Sequence, residues 1–294
     1  MLPDIYIKKL KLEPIRIDPI VHQDALSSLV FKLSLKDGSF LILKLLHDEK
    51  RFKRESYFLN LLKNYIKIPT LLESIEPQGN LKGALLMEFL PGEIATESLT
   101  KKSAFEMGFL LAKLHSFPCD YYGDIAENTA LSPALESGLF VLRGYFEEAF
   151  NECRDHLREP LFNKIKKYVK ESINGIKKLS GPCICHRDFK PGNVIVFKDE
   201  IMGLIDWEIA RFSFAEEDFA TMEYLVWKEN SETKASFFKG YESIRPLPNL
   251  ELLSLMRIRK ALGAMGFSIV RKYQSEFHRS IFEKNLIFLE NFFK

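Results

Sequence analysis

The chain has 294 residues, of which 46% are hydrophobic and 28% charged, and its formal net charge is +2. That length suffices for two domains or one large two-part unit with a substantial core, and the composition is ordinary for a globular protein. No apolar run reaches the ~18 residues that a transmembrane helix needs, and the four cysteines, Cys119, Cys153, Cys183 and Cys185, are too few for a disulfide scaffold in a chain of this size. The opening residues contain no long apolar stretch of the signal-peptide kind, so the expected compartment is the cytoplasm, with no membrane partner. The basic stretch over 230–294 shows no aromatic-interleaved basic motif and is read as a solvated helix face, with no nucleic-acid partner.

In chain order, residues 15–46 read as three strands. Asp37–Gly38 between two apolar runs is a tight-hairpin signal. Lys44 falls inside the third strand, where a charge is costly to bury without a partner. Residues 48–66 read as a helix with Phe52, Tyr57, Phe58, Leu61 and Leu62 on its apolar side. This helix carries Glu55, which either pairs with Lys44 or pairs locally with Arg51; beside the motif described below, the pair with Lys44 is the expected one. Residues 83–90 form an apolar strand that stops at Pro91–Gly92, a natural boundary between units 1–91 and 92–294. Beyond it the pattern is mostly helical: one helix ends near His115, two cover 134–179, and others cover 215–228, 248–272 and 276–292. His115 is expected to pack or cap. Cys183 and Cys185 fall on one face of a short strand and are read as small buried hydrophobes, since no Cys/His pair stands at a spacing suited to a metal.

The densest signal is His186–Arg187–Asp188–Phe189–Lys190–Pro191–Gly192–Asn193, followed by Ile205–Asp206–Trp207–Glu208. Apolar runs precede both segments and Val194–Ile195–Val196–Phe197 lies between them, giving strand, loop, strand, turn, strand and a second polar turn. Two such turns supply one carboxylate to hold a hydroxyl proton, and an amide oxygen and a second carboxylate to hold a hard cation. Phosphoryl transfer needs this set.

With these residues the chain resembles the protein-kinase-like superfamily, and more closely its aminoglycoside phosphotransferase and choline kinase branch, over nearly its whole length. The resemblance rests on Lys44 in its apolar strand, Glu55, Met87–Glu88–Phe89–Leu90–Pro91–Gly92, Leu111–Ala112–Lys113–Leu114–His115, the two polar turns, and Asp218–Phe219–Ala220. It implies an α+β, bilobal protein-kinase-like fold. The N-terminal lobe would be an antiparallel sheet with one helix that binds nucleotide, and the mostly helical C-terminal lobe would be catalytic and acceptor-binding. It further implies ATP or GTP as the nucleotide and Mg2+ as the metal. Asp188 would be the base and Lys190 would stabilise the transferring phosphate. Lys44 would contact the α/β-phosphates, with Glu55 orienting it, and Asn193 and Asp206 would hold the metal. The backbone of Glu88, Phe89 and Leu90 would meet the adenine. The loop Gln23–Ser28 departs from the family in having no glycine; Ser27 and Ser28 are its candidate phosphate donors.

The expected partner is a small hydroxyl-bearing acceptor: an aminoglycoside-like antibiotic, a choline-like amino-alcohol or a sugar. The protein itself is expected to be a monomer or a weak dimer. Trp207, Glu208, Glu223, Tyr224 and Trp227 offer aromatic faces and carboxylates for a cationic acceptor, against a plain core reading for the two tryptophans. Asp218 is expected to bond backbone near the catalytic loop rather than to touch substrate. A Ser/Thr protein kinase is opposed by Asp206–Trp207–Glu208 in place of Asp-Phe-Gly, by the absence of Ala-Pro-Glu and by the short remainder of chain. A nucleotide-binding pseudokinase scaffold is the other alternative, favoured by the missing glycines and opposed by Lys44, Asp188, Asn193 and Asp206 standing together.

Overall fold

The computed structural model describes residues 2–20, 28–46, 48–95, 99–225, 227, 231–270 and 275–294. Helix α1 (Leu2–Lys9) leads into a sheet whose strands are β1 (Arg16–Ile20), β2 (Ser28–Ser34) and β3 (Phe40–Leu46). After helix α2 (Glu49–Leu62) the sheet is completed by β4 (Leu71–Ile75) and β5 (Gly83–Glu88). Its order is β1-β2-β3-β5-β4, antiparallel throughout. The β2–β3 hairpin turns at Gly38, whose φ of +85° suits glycine.

Side chains on β3 alternate between two faces, as strand geometry dictates. Leu43 and Leu45 join Leu33, Ala84 and Leu86 in a small core that Tyr6, Ile7 and Leu10 help build. Lys44 and Leu46 take the opposite face, where Leu46, Leu85 and Met87 join the large core with Phe52, Phe58 and Leu62 of α2. Asp48 starts α2 as its N-cap, accepting from Arg51 N at 2.9 Å. Lys44, on the central strand, is thus the lysine of the sheet that is buried on the face α2 covers.

The remaining chain is mostly helical: β6 (Glu93–Ile94), α3 (Lys101–His115), α4 (Leu135–Cys153), α5 (Glu159–Asn174), β7 (Cys183–Cys185), β8 (Val194–Phe197), β9 (Glu200–Leu204), β10 (Arg211–Ser213), α6 (Glu216–Leu225), α7 (Ser231–Glu242), α8 (Leu253–Val270) and α9 (Glu276–Phe292). The short strands form β6-β8-β9 and β10-β7, so the polar segments between β7 and β8 and after β9 emerge from paired backbone. Helix α7, unread in the sequence, packs on α3 at glycines: a Cβ on Gly108 would collide with the Phe237 carbonyl, and one on Gly240 with that of Phe105. No helix among the described residues is long and apolar enough to cross a membrane.

Candidate active site

Lys44 leaves the middle of β3 and is buried between two carboxylates, Glu55 Oε2 at 2.7 Å and Asp206 Oδ1 at 2.7 Å. The local alternative for Glu55 does not occur, because Arg51 turns instead to Asp48 and Glu208. Carboxylate oxygens of Glu55, Asp206 and Glu208 lie within 4.8 Å of one another around the ammonium. Burial alone would lower the Lys44 pKa, but Asp206 and Glu55 outweigh it and raise it. Burial likewise raises the Glu55 pKa, against the pull of Lys44 and with Asp206 and Glu208 adding to the rise.

The second cluster is the segment after β7. Asn193 Nδ2 donates to Asp188 O at 2.8 Å and to Asp188 Oδ2 at 3.0 Å. With its donors turned to Asp188, Asn193 keeps its amide oxygen as a hard donor for a cation. Two further cations reach the Asp188 carboxylate, Lys190 at 3.0 Å and Lys260 of α8 at 3.2 Å. Burial would raise the Asp188 pKa, but Lys260 and Lys190 win and hold it at about 2. Asp188 is therefore ionised at neutral pH and placed to accept a hydrogen bond.

The two turns are tied together through the backbone. Ile205 N donates to Asn193 O at 2.9 Å, and His186 Nε2 donates to Ile205 O at 2.9 Å. Both turns contain non-glycine residues in the left-handed region, Arg187 at φ +67° and Asp206 at φ +71°, a conformation that persists only where neighbours fix it. The fixing group for the first is Asp218 of α6. Its carboxylate accepts from His186 N at 2.9 Å and Arg187 N at 2.6 Å, as the sequence reading expected. His115 Nε2 donates to the same carboxylate at 3.1 Å, and Tyr241 donates to His115 Nδ1 at 2.9 Å. Burial depresses the pKa of both histidines.

His115 thus packs, as expected, but as part of a chain of hydrogen bonds that reaches the loop. It also stands beside Cys183 and Cys185, with ligand atoms within 4.8 Å, a partner that sequence spacing did not reveal. Both of its ring nitrogens are taken by Tyr241 and Asp218, so the buried cysteines keep their reading as packing groups.

The aromatic and acidic side chains expected to receive a cationic acceptor do not form an open receptor. Trp207 is fully buried, stacked on Phe58, with its indole N–H on Leu204 O at 3.0 Å. Trp227 is 4% exposed and packs on Phe219, Phe237 and Phe238. Glu208 is paired with Arg51, Glu223 with Lys234 at 2.6 Å, and Tyr224 donates to Asn285 at 2.8 Å. Large aromatic side chains were drawn into the core by the area they bury. Of the adenine candidates, Glu88 N is already spent on Thr70 O at 3.0 Å, while Phe89 stacks edge-on against Phe40. Ser28 is buried at the start of β2, opposite Leu46, and Ser27 lies outside the described residues.

Sequence reasoning missed Lys260, Asp124 and the arginines around them. Arg54 of α2 grips Asp124 with Nε and Nη2 at 3.0 and 2.6 Å, and Arg211 reaches the same carboxylate at 3.0 Å. Glu217, buried on α6, holds Arg187 at 2.9 Å and Arg259 at 3.3 Å. The available signal was energetic: three cations, Arg257, Arg259 and Lys260, interrupt the otherwise apolar α8, where unpaired charge is costly.

Residues 21–251 match the phosphotransferase enzyme family. A homoserine kinase from Rhizobium rhizogenes is 26% identical over 246 residues, 76% of this chain and 71% of that protein. Mouse mitogen-activated protein kinase kinase kinase 19 is 31% identical over 119 residues, 40% of this chain, and the match spans only 8% of that protein's length. Among solved structures, amicoumacin kinase hAmiN in complex with AMP-PNP, Ca2+ and Ami superposes with a TM-score of 0.69 at 14% identity, covering 98% of this chain and 93% of that one.

Proposed function

The chain belongs to the phosphotransferase enzyme family and is a small-molecule kinase, and from that premise we propose that it moves the γ-phosphoryl group of ATP, bound with Mg2+, to a hydroxyl of a small acceptor. The observation that carries this reading is the pairing of two clusters across the fold. Lys44–Glu55–Asp206 joins the sheet to the turn after β9, and Asp188–Asn193 faces that turn from the segment after β7.

The roles follow from the positions. Residues 1–91 hold the nucleotide and 92–294 the acceptor. Lys44, fixed by Glu55, meets the phosphates. Asn193 and Asp206 would hold the metal: both offer hard oxygen ligands, and Asp206 uses one oxygen on Lys44. Bound there, a metal would supply positive charge against the phosphates. Asp188 accepts the hydrogen bond of the acceptor hydroxyl and aims its oxygen at the γ-phosphorus. A bond forms between that oxygen and phosphorus, the bond from phosphorus to the β–γ bridging oxygen breaks, its electron pair stays on ADP, and the hydroxyl proton passes to Asp188. Lys190 steadies the charge on the transferring group. Phe89 and Leu90 offer backbone to the adenine.

A protein substrate is not favoured. The chain passes from Asp206 to α6 at Glu216 with only the short strand β10 between them, leaving little chain for a peptide platform. The reading is tested by following ADP release from Mg-ATP over a panel of aminoglycosides, macrolides, amino-alcohols, hydroxy acids and sugars, beside GTP and metal-free controls. Tight nucleotide binding with no acceptor-stimulated ADP release across the panel would favour the scaffold alternative.

A further inference from the structure

Besides Asn193, the groups that stand beside the Asp188 carboxylate are the cations Lys190 and Lys260. Lys260 Nζ lies 3.2 Å from its carboxylate and 3.2 Å from Arg187 O. The next residue on α8, Arg259, is one of three arginines gathered around the ring of Tyr145 on α4. The guanidinium carbons of Arg187, Arg259 and Arg211 lie 4.5, 5.1 and 5.6 Å from the ring centroid.

Their carboxylates are shared. Glu217 serves both Arg187 and Arg259, and Asp124 serves both Arg54 and Arg211. Asp188 is the remaining carboxylate against Lys260. With Glu127, which faces Arg211 and pairs with Lys50, and Asp218, which accepts from Arg187 N, six cations stand against five carboxylates. The side chains of Arg187, Arg259, Arg211 and Lys260 are 11–22% exposed, so the excess charge is largely withdrawn from water. Burial and mutual repulsion lower the pKa of Arg259 and Lys260 despite their carboxylate neighbours.

Buried charge of one sign is expensive unless something offsets it. A guanidinium presents a planar fork of N–H donors that fits carboxylate and phosphate oxygens, and one carboxylate shared by two such forks leaves donors to spare. A cationic acceptor placed here would add to the imbalance.

Resting on the phosphotransferase reading, we infer that the acceptor is an alcohol that also carries an oxyanion, a carboxylate or a phosphate group. Its hydroxyl meets Asp188 while its oxyanion is held by Lys260 and the Arg187–Arg259–Arg211 cluster around Tyr145. This reverses the charge expected of the acceptor from sequence, where the carboxylates after Asp206 suggested a cation.

The test uses the full chain with Mg-ATP and four four-carbon acceptors: 4-hydroxybutyrate, 4-hydroxybutyl phosphate, 1,4-butanediol and 4-amino-1-butanol. kcat/KM is measured by ADP release, and the thermal shift of the Mg-ADP complex is measured with each compound. One of the two anionic alcohols should exceed the diol and the amine by at least about tenfold in kcat/KM, should raise Tm where the amine does not, and should lose its advantage as salt screens the cluster. Which anion leads distinguishes carboxylate from phosphate. Arg259→Gln should raise KM for that anion by about tenfold while Mg-ATP affinity persists, and Arg259→Lys should recover most of the loss. Arg211→Gln repeats the test on a different element if Arg259→Gln fails to fold. Equal or better turnover or thermal shift with the diol or the amine overturns the inference and leaves the phosphotransferase reading standing. Absence of Mg-ATP binding overturns both.

Discussion

Lys260 stands 3.2 Å from Asp188, although 72 residues separate them in the chain. With Lys190 it holds the Asp188 pKa at about 2, against burial that would raise it. A carboxylate whose folded pKa is depressed contributes stability that is present above its unfolded value near 4 and is lost as pH falls through about 2. Asp188 therefore stays ionised across the working range, and an acid limb in kcat/KM above pH 5 should arise from another group. In Lys260→Met the restraint weakens, so the limb belonging to Asp188 should move up in pH. A pH–rate profile that is identical in the variant would reject this coupling.

Asp188→Ala should lower kcat by roughly 10²–10⁴ while nucleotide binding persists, because it removes a base and not a phosphate contact. Asp206→Ala should instead weaken Mg-ATP binding, because a hard oxygen ligand is lost. Titration calorimetry with Mg-ATP on both variants separates the roles; equal losses of affinity would refute the division.

Removing Lys44 leaves Glu55 buried without its cation, and removing Glu55 leaves Lys44 with Asp206. Breaking one side of a buried pair costs about 3–5 kcal/mol, whereas replacing both partners with apolar groups costs far less. Lys44→Met and Glu55→Leu should each lower unfolding stability, and the double variant should be more stable than the sum of the two losses predicts. Strict additivity in urea unfolding would count against the pair.

Trp207→Ala should cost about 3–5 kcal/mol of stability, as large core truncations do. Trp227→Leu should lower Tm while leaving the salt dependence of the acceptor KM as in the wild type, since its ring packs on phenylalanines. A change in acceptor selectivity at unchanged stability would restore Trp227 to a binding role.

His115 and His186 are buried with depressed pKa values, burial being the cause in each. A histidine with a lowered folded pKa is protonated first in the unfolded chain, so stability should fall as pH drops below about 6.5. Glu55 and Glu216, whose values are raised by burial, act in the opposite sense. His115→Phe should flatten the acid slope between pH 6.5 and 5 by up to about 1.4 kcal/mol per pH unit. An unchanged slope would show that His115 is not the group that titrates.

The strands, the hairpin at Asp37–Gly38 and the order of polar turns were legible because each is a local pattern: period-2 hydrophobicity or a turn residue pair. The Lys44–Glu55 contact was legible because a lysine inside an apolar strand demands a counter-charge. Helix α1 was not, being short and weakly patterned, and neither was α7, whose glycine-mediated approach to α3 is tertiary. The partners of the acidic residues after Asp206 were not legible for a related reason. Sequence proximity put Glu208 and Glu223 near the site, yet folding paired them with Arg51 and Lys234, while Glu217 holds Arg187 and Glu216 accepts from the backbone N–H groups of Ser180 and Asn249. Two of the cations, Arg259 and Lys260, came from α8, far along the chain.

Helix α2 sends Arg51 to Glu208, Arg54 to Asp124 and Glu55 to Lys44, itself bound to Asp206. Swinging this helix outward would strand several buried charges at once, each at a cost of about 3–5 kcal/mol. That sum rivals the entire stability of an ordinary domain. An enzyme assembled this way has no inexpensive resting state in which Lys44 is withdrawn from Glu55 and Asp206. It is poised whenever it is folded, so its output in a cell should track the supply of acceptor and the amount of protein rather than a switch, and amides of α2 should exchange with solvent as slowly as those of the central strand β3.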